Sequence, residues 1–263
     1  MKFLLSTGCF YEEPIEKSLY IASSVGFDGV ELILNEVYYL ADAESKISEF
    51  GKIIKITAFH APFTAGSSRE RIQSLIRSLE LAEKLKVDVV VFHPPMKLFM
   101  DMSYWRWFRK KTFDNMQNLN LCVENMPYMK LGPLRINLYS VHRFSELKKM
   151  AQDKGLKIAF DTTHCGTSGK DLIEAFEELG SVEMVKHIHL SDFKVEKGMF
   201  VEHLPPGMGD LELKGFLKHL KISGYRGTIT LEVSPRFLPD DDRDRIEVLK
   251  NTLRELKEAC NGV

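Results

Sequence analysis

Six short runs of β-forming residues in this chain each end on a side chain that can ligate a metal. They are 56–60 (ITAFH), 89–93 (VVVFH), 121–124 (LCVE), 158–161 (IAFD, with His164 three residues on), 186–189 (KHIH) and 228–232 (TITLE). Strands that run parallel bring their C-terminal ends to one face, so these side chains would converge there. Mixed imidazole and carboxylate donors hold divalent ions such as zinc and manganese, with open positions left for water or substrate. Glu124, Asp161, His189 and Glu232 form one such set, drawn from four strand ends. His60, His93, His164 and His203 can extend it to a second or third ion. A single strand-end carboxylate is explained as well by a helix cap or an ion pair, and a lone histidine by a core position. Several carboxylates at one mouth are different, because they repel one another unless a cation offsets them. The pattern reads as a metalloenzyme.

The elements that must position these residues alternate between short β-rich runs and longer amphipathic stretches, the signature of repeated βα units. The spacing predicts eight strands, at 3–7, 29–34, 54–60, 87–93, 119–124, 157–161, 186–190 and 228–233. It predicts helices near 14–25, 37–50, 68–86, 104–117, 140–153, 170–179, 211–222 and 241–260. Ile72, Leu75, Ile76, Leu79 and Ala82 mark the clearest helical face, and Ser140 and Asp210 are candidate N-caps. Strand side chains have period two, so if the terminal His, Asp and Glu face inward, Ala58, Val91, Cys122, Ala159, His187 and Thr230 do too. Most of these are compact, as the crowded interior of an eight-stranded barrel requires. His187 is the exception and reads as a buried group supporting His189. The expected fold is α/β, a single (β/α)8 TIM barrel in one domain over residues 1–263.

Composition narrows the class. The 36 basic and 37 acidic residues leave a net charge of −1, without the basic excess that phosphate neutralisation favours, which argues against a nucleic-acid substrate. Cys9, Cys122, Cys165 and Cys260 have no C-x-x-C spacing, which suggests free thiols in a reducing compartment. The N-terminal apolar run is too short for a signal peptide, and no apolar stretch nears a bilayer-crossing length. A cytoplasmic location with no membrane partner is expected. The segment 104–111 (YWRWFRKK) mixes aromatics and basic charge as a base-stacking surface would, but reads better as an amphipathic barrel helix with its aromatics packed inward or against another subunit of a homo-oligomer.

The strings AFHAPF (58–63), VFHPP (91–95), VENMP (123–127), FDTTHC (160–165), HIHLSDF (187–193), HLPPGMGD (203–210) and TLEVSP (230–235) make the chain resemble the xylose-isomerase-like barrel superfamily over nearly its whole length. That superfamily contains sugar and sugar-phosphate isomerases and epimerases, and also endonuclease IV. The epimerase branch implies one divalent ion (zinc, manganese or magnesium) held by Glu124, Asp161, His189 and Glu232. In it Glu124 and Glu232 act as an acid/base pair on a sugar, sugar phosphate or polyol, with His164 and Lys194 as contacts to substrate oxygens. The endonuclease branch implies three zinc ions and nine ligands, eight of which match His60, His93, Glu124, Asp161, His164, His189, His203 and Glu232. The ninth would be an Asp two residues before His203, where this chain has Val201. The loop 204–209 (LPPGMG) suggests a phosphate cradle or a lid, or a turn before the next helix, and Met208 stands where the family often carries an acidic residue. The leading expectation is a divalent-metal isomerase or epimerase, with an endonuclease IV-like abasic-site enzyme as the alternative.

Overall fold

The computed structural model describes residues 1–35, 37, 40–63, 66–98, 101–113, 119–132 and 134–261. Its strands in chain order are β1 (Lys2–Ser6), β2 (Gly29–Ile33), β3 (Ile56–His60), β4 (Val89–Phe92), β5 (Asn120–Glu124), β6 (Met129–Leu131), β7 (Leu134–Ile136), β8 (Lys157–Asp161), β9 (Val185–Leu190), β10 (Asp192–Glu196), β11 (Met199–Leu204) and β12 (Thr228–Leu231). Eight of them pair in parallel and close on themselves in the order β1-β12-β9-β8-β5-β4-β3-β2, a single (β/α)8 barrel. The other four form two antiparallel hairpins, β6–β7 and β10–β11.

The helices are α1 (Ile15–Val25), α2 (Ala43–Phe50), α3 (Ser68–Leu85), α4 (Met102–Lys110), α5 (Phe144–Asp153), α6 (Thr162–Ser168), α7 (Leu172–Glu178), α8 (Ser181–Met184), α9 (Leu213–Ile222) and α10 (Asp242–Asn261). α3 begins with a capping box in which the Glu70 amide donates to Ser67 Oγ at 3.2 Å and the Ser67 amide donates to Glu70 Oε2 at 2.9 Å. The two candidate caps are not caps. α5 starts after Arg143 and α9 after Glu212, neither with a side-chain cap bond. The Ser140 amide is taken by Pro95 O and the Asp210 amide by Phe193 O, so both residues are fixed in loops ahead of the helices. Of the expected helix 37–50, residues 38 and 39 lie outside the described residues, as do 114–117 of the expected helix 104–117.

The barrel separates two apolar compartments. Inside it Leu4, Ala58, Val89, Val91, Cys122 and Ala159 form a small cluster, while the larger core lies between the outer strand faces and the helices. The inward residues below the predicted ligands are thus the expected ones. In α4, Tyr104 and Phe108 are buried and the Tyr104 hydroxyl donates to His93 O at 3.1 Å, so the aromatic and basic segment braces the end of β4.

Between Asp192↔Leu204 and Lys194↔Val201 the β10–β11 ladder shifts by one residue, leaving Phe193 opposite both Glu202 and His203. This is a β-bulge, and at it His203 adopts φ +54°. Behind it the buried Asp192 carboxylate accepts the amides of Phe193, Gly207, Gly209 and Leu211, at 2.8–3.1 Å. A Cβ at Gly209 would collide with that carboxylate and with Phe193 O. The loop 204–209 is therefore a turn cinched onto Asp192 rather than a row of amides open to a phosphate. Asp192→Ala strands these amides, and equilibrium urea unfolding should show a loss of about 2–4 kcal/mol. A loss under about 0.5 kcal/mol would contradict this role.

Candidate metal centre

The site is built by period two on the barrel's inner face. Glu124, Asp161 and His60 are the last residues of β5, β8 and β3, and His189 is the penultimate residue of β9. His93 and Glu232 lie one residue beyond β4 and β12, and His164 sits in the first turn of α6. All converge at the C-terminal mouth of the barrel, where such barrels carry their chemistry.

Glu124 is the hub. Its Oε1 lies 3.1 Å from His189 Nδ1 and 3.3 Å from His164 Nδ1, and its Oε2 lies 3.1 Å from His93 Nε2 and 3.4 Å from His60 Nε2. His189 Nδ1 is also 3.2 Å from Glu232 Oε2 and 3.8 Å from Asp161 Oδ2. Among the described residues four groups of donor atoms are spaced closely enough to share an ion: Glu31 with His187 and His189, Glu124 with Asp161 and His189, His60 with His93 and Glu124, and Asp161 with His164 and His203. The bulge on β11 delivers His203 to the last group, where its Nδ1 is 3.2 Å from Ser191 Oγ.

Hydrogen bonds to carbonyls fix two of the ring tautomers. A carbonyl only accepts, so His60 donates from Nδ1 to Ala61 O at 2.9 Å and His164 donates from Nδ1 to Asn125 O at 2.9 Å. Nε2 is then the atom each ring can offer a cation once it gives up any proton, and in His60 that atom faces Glu124 Oε2 at 3.4 Å. Asn125 also grips the Asp161 backbone in both directions, accepting its amide at 2.8 Å and donating to its carbonyl at 3.0 Å. Asp161 Oδ1 in turn accepts the His164 amide at 2.6 Å, capping α6.

The electrostatics are those of a buried, acid-rich cluster. Burial raises the Glu124 pKa, but His189, His164 and His60 outweigh it and hold the carboxyl well below the usual range. Burial opposes the charged form of His189, yet Glu31, Glu232 and Glu124 push its pKa well above that of free imidazole. His164 rises to about 10 against burial, through Asp161 and Glu124. His93 goes the other way, because burial outweighs its contact with Glu124. One oxygen is left over: Asp161 Oδ2 is buried with no hydrogen-bond donor among the described residues. An unsatisfied carboxylate oxygen grouped with the donor atoms of Glu124 and His189 fits a divalent cation.

Two residues outside the sequence reading belong to this region. Glu31 on β2 is fully buried and meets both His187 and His189. Its signal was available: an acid flanked by Val30 and Leu32 in a strand-like apolar run, facing the same way as the inward residues. The strand-end pattern does not reach it, because Glu31 sits at the centre of β2. Asn125 follows Glu124 and carries no ionisable group, so a pattern of metal donors does not single it out. Lys194 on β10 pairs with Glu196 at 3.2 Å, at the outer part of the hairpin rather than in the imidazole–carboxylate cluster. Against Glu232 and His203 opens a cavity of about 590 Å³, walled by Phe10, Ile15, Ile33 and Phe63 among others.

The chain is 28% identical over 253 residues to an uncharacterised protein of Methanocaldococcus jannaschii, spanning 88% of this chain and 83% of that one. It is 27% identical over 257 residues to an uncharacterised protein of Mycobacterium tuberculosis, with 89% of each covered. Among solved structures it superposes on a D-tagatose 3-epimerase-like protein with a TM-score of 0.75, at 22% identity over 100% of this chain and 99% of that one. D-psicose 3-epimerase in the presence of D-fructose gives 0.73 at 16% identity, with 100% of each covered. The IolI protein with a binding zinc atom gives 0.74 at 16% identity, with 98% of each covered. These likenesses establish a shared fold. The sequence profile of one family matches residues 19–258, nearly the whole chain, and on that match the protein belongs to the xylose isomerase-like TIM barrel family.

Proposed function

We propose that the protein is a divalent-metal-dependent isomerase or epimerase of a small uncharged sugar or polyol. The observation that carries this reading is the gathering of donor atoms of Glu124, Asp161 and His189 within 4.8 Å of one another, with Glu232 Oε2 3.2 Å from His189 Nδ1 and Asp161 Oδ2 left without a donor among the described residues. The epimerases among the structural neighbours support the same class. Glu124, Asp161, His189 and Glu232 would hold the ion, which when bound polarises an adjacent carbonyl and hydroxyl of the substrate. The protein's own groups do the proton work. Glu232 borders the cavity and is about a quarter exposed, while Glu124 is buried, and both face His189 Nδ1. One glutamate removes the proton beside the carbonyl, and the other returns it to the neighbouring carbon or the opposite face. His164 is the proposed contact to substrate oxygens, and Lys194, paired with Glu196 on the hairpin, has no such part in this reading. Among the described residues no Lys or Arg lines the cavity, so a phosphate there would lack a counter-charge. That supports an unphosphorylated substrate.

A second reading, a zinc-dependent abasic-site endonuclease, has one observation in its favour: the two additional donor groups around His60 with His93 and around His164 with His203. Val201 and the near-neutral charge weigh against it. Cleavage of a synthetic abasic duplex by zinc-loaded protein, abolished in Glu232→Gln, would establish it and displace the first reading.

With the substrate found from a panel of ketoses, polyols and their phosphates, Glu124→Gln and Glu232→Gln should each lower kcat by about 10²–10⁴. The free sugar should show the higher kcat/KM. Unchanged turnover in both variants, or a preference for the phosphate, would refute the respective claim. The raised pKa of His189 sets a pH dependence as well, because an entering cation must displace its Nδ1 proton. Apparent zinc affinity should keep climbing with pH above the ordinary imidazole range, roughly tenfold per unit where one proton leaves. Calorimetry in buffers of different protonation enthalpy counts that proton, and a flat profile would contradict the assignment.

A further inference from the structure

Below the proposed metal ligands runs a line of buried polar groups that the proton chemistry does not use. Thr228 Oγ1 lies 2.6 Å from His187 Nδ1, and His187 Nε2 lies 3.0 Å from Glu31 Oε2. Both Glu31 oxygens lie 3.1 Å from His189 Nε2. His189 then presents Nδ1 to Glu124 and Glu232. Glu31, His187 and His189 are each at most 1% exposed, and the line joins β12, β9 and β2 across the barrel interior.

The direction of these bonds follows from donor chemistry. A carboxylate only accepts, so both ring nitrogens that face Glu31 carry hydrogen. His187 therefore keeps its lone pair on Nδ1, where the Thr228 hydroxyl donates to it. His187 Nε2–H is shared between Glu31 and Thr230 Oγ1, the latter at 3.1 Å. His189, with Nε2–H held by Glu31, has only Nδ1 left as a ligand atom, and that atom already faces the cluster. Burial alone would favour a neutral Glu31, but His189 and His187 keep its carboxyl well below the usual range.

We propose that Glu31 is a positioning residue that fixes the Nε2–H tautomer and ring orientation of His189, so that Nδ1 is aimed at the divalent ion. His187 and Thr228 serve to hold Glu31 in place. This inference rests on the divalent-cation reading of the Glu124, Asp161, His189 and Glu232 cluster. Such carboxylate partners of metal-bound histidines typically change metal affinity by about 10–100-fold when removed.

The test compares zinc affinity of wild type, Glu31→Gln and Glu31→Asp by competition with a chromophoric chelator. Unfolding of the metal-free forms is followed in parallel, and the zinc-loaded wild type is examined by histidine ring ¹⁵N NMR. The expected results are a slowly exchanging Nε2–H on His189 and a 10–100-fold loss of affinity in Glu31→Gln. Glu31→Asp, which keeps the charge but draws it back by one methylene, should fall between, and it carries the test alone if the Gln variant does not fold. Affinity within threefold of wild type in the folded variants, or a His189 signal showing Nδ1–H, overturns the inference alone. So does the loss of one whole zinc equivalent with the remainder bound as before, which would make Glu31 itself a ligand. A wild type that binds no divalent ion refutes the functional reading and this inference together.

Discussion

The structure depends on how a closed barrel tolerates buried carboxylates. Glu31, Glu124 and Asp161 are each at most 2% exposed. Ionised carboxylates removed from water are costly unless positive charge and hydrogen bonds surround them. Here the compensation comes from imidazoles rather than from Lys or Arg. Histidines can share protons with the carboxylates and can also surrender them, so under the proposed reading a cation would enter without a competing fixed charge left behind. A guanidinium in the same position would satisfy Glu124 permanently and close the site.

The remaining architecture serves that arrangement. Period two along the strands sends the ligating side chains inward at one end, with compact Ala58, Val91, Cys122 and Ala159 beneath them. Glu31 and His187 interrupt that apolar floor, and they do so together, so neither is left unpaired. The loops add what strands cannot. Asn125 clamps Asp161, α6 carries His164, and the bulge in β11, backed by the Asp192 turn, brings His203 to the mouth. Lids and turns at this face can vary without disturbing the barrel that carries the chemistry.

Much of this was legible in the sequence because barrel strands and their terminal ligands are local signals. All eight strands lie where the β-rich runs predicted them, and the predicted imidazoles and carboxylates gather at one mouth. What the sequence hid is non-local. Glu31 gains its meaning only from His187 and His189, more than 150 residues away. The two hairpins are short excursions between βα units, and of their four strands only β11 carries a candidate ligand near its end, His203. Ser140 and Asp210 have good capping chemistry, but tertiary hydrogen bonds to Pro95 and Phe193 hold them in loops.

The central claim is that the buried acid-rich cluster exists to hold a divalent cation, and anomalous diffraction tests it most directly. Crystals equilibrated with manganese or zinc and measured on either side of the metal absorption edge should show a peak bonded to Glu124, Asp161, His189 and Glu232, with Asp161 Oδ2 now satisfied. No peak at that position in ion-soaked crystals, with the four side chains still bonded only to one another, would contradict the account.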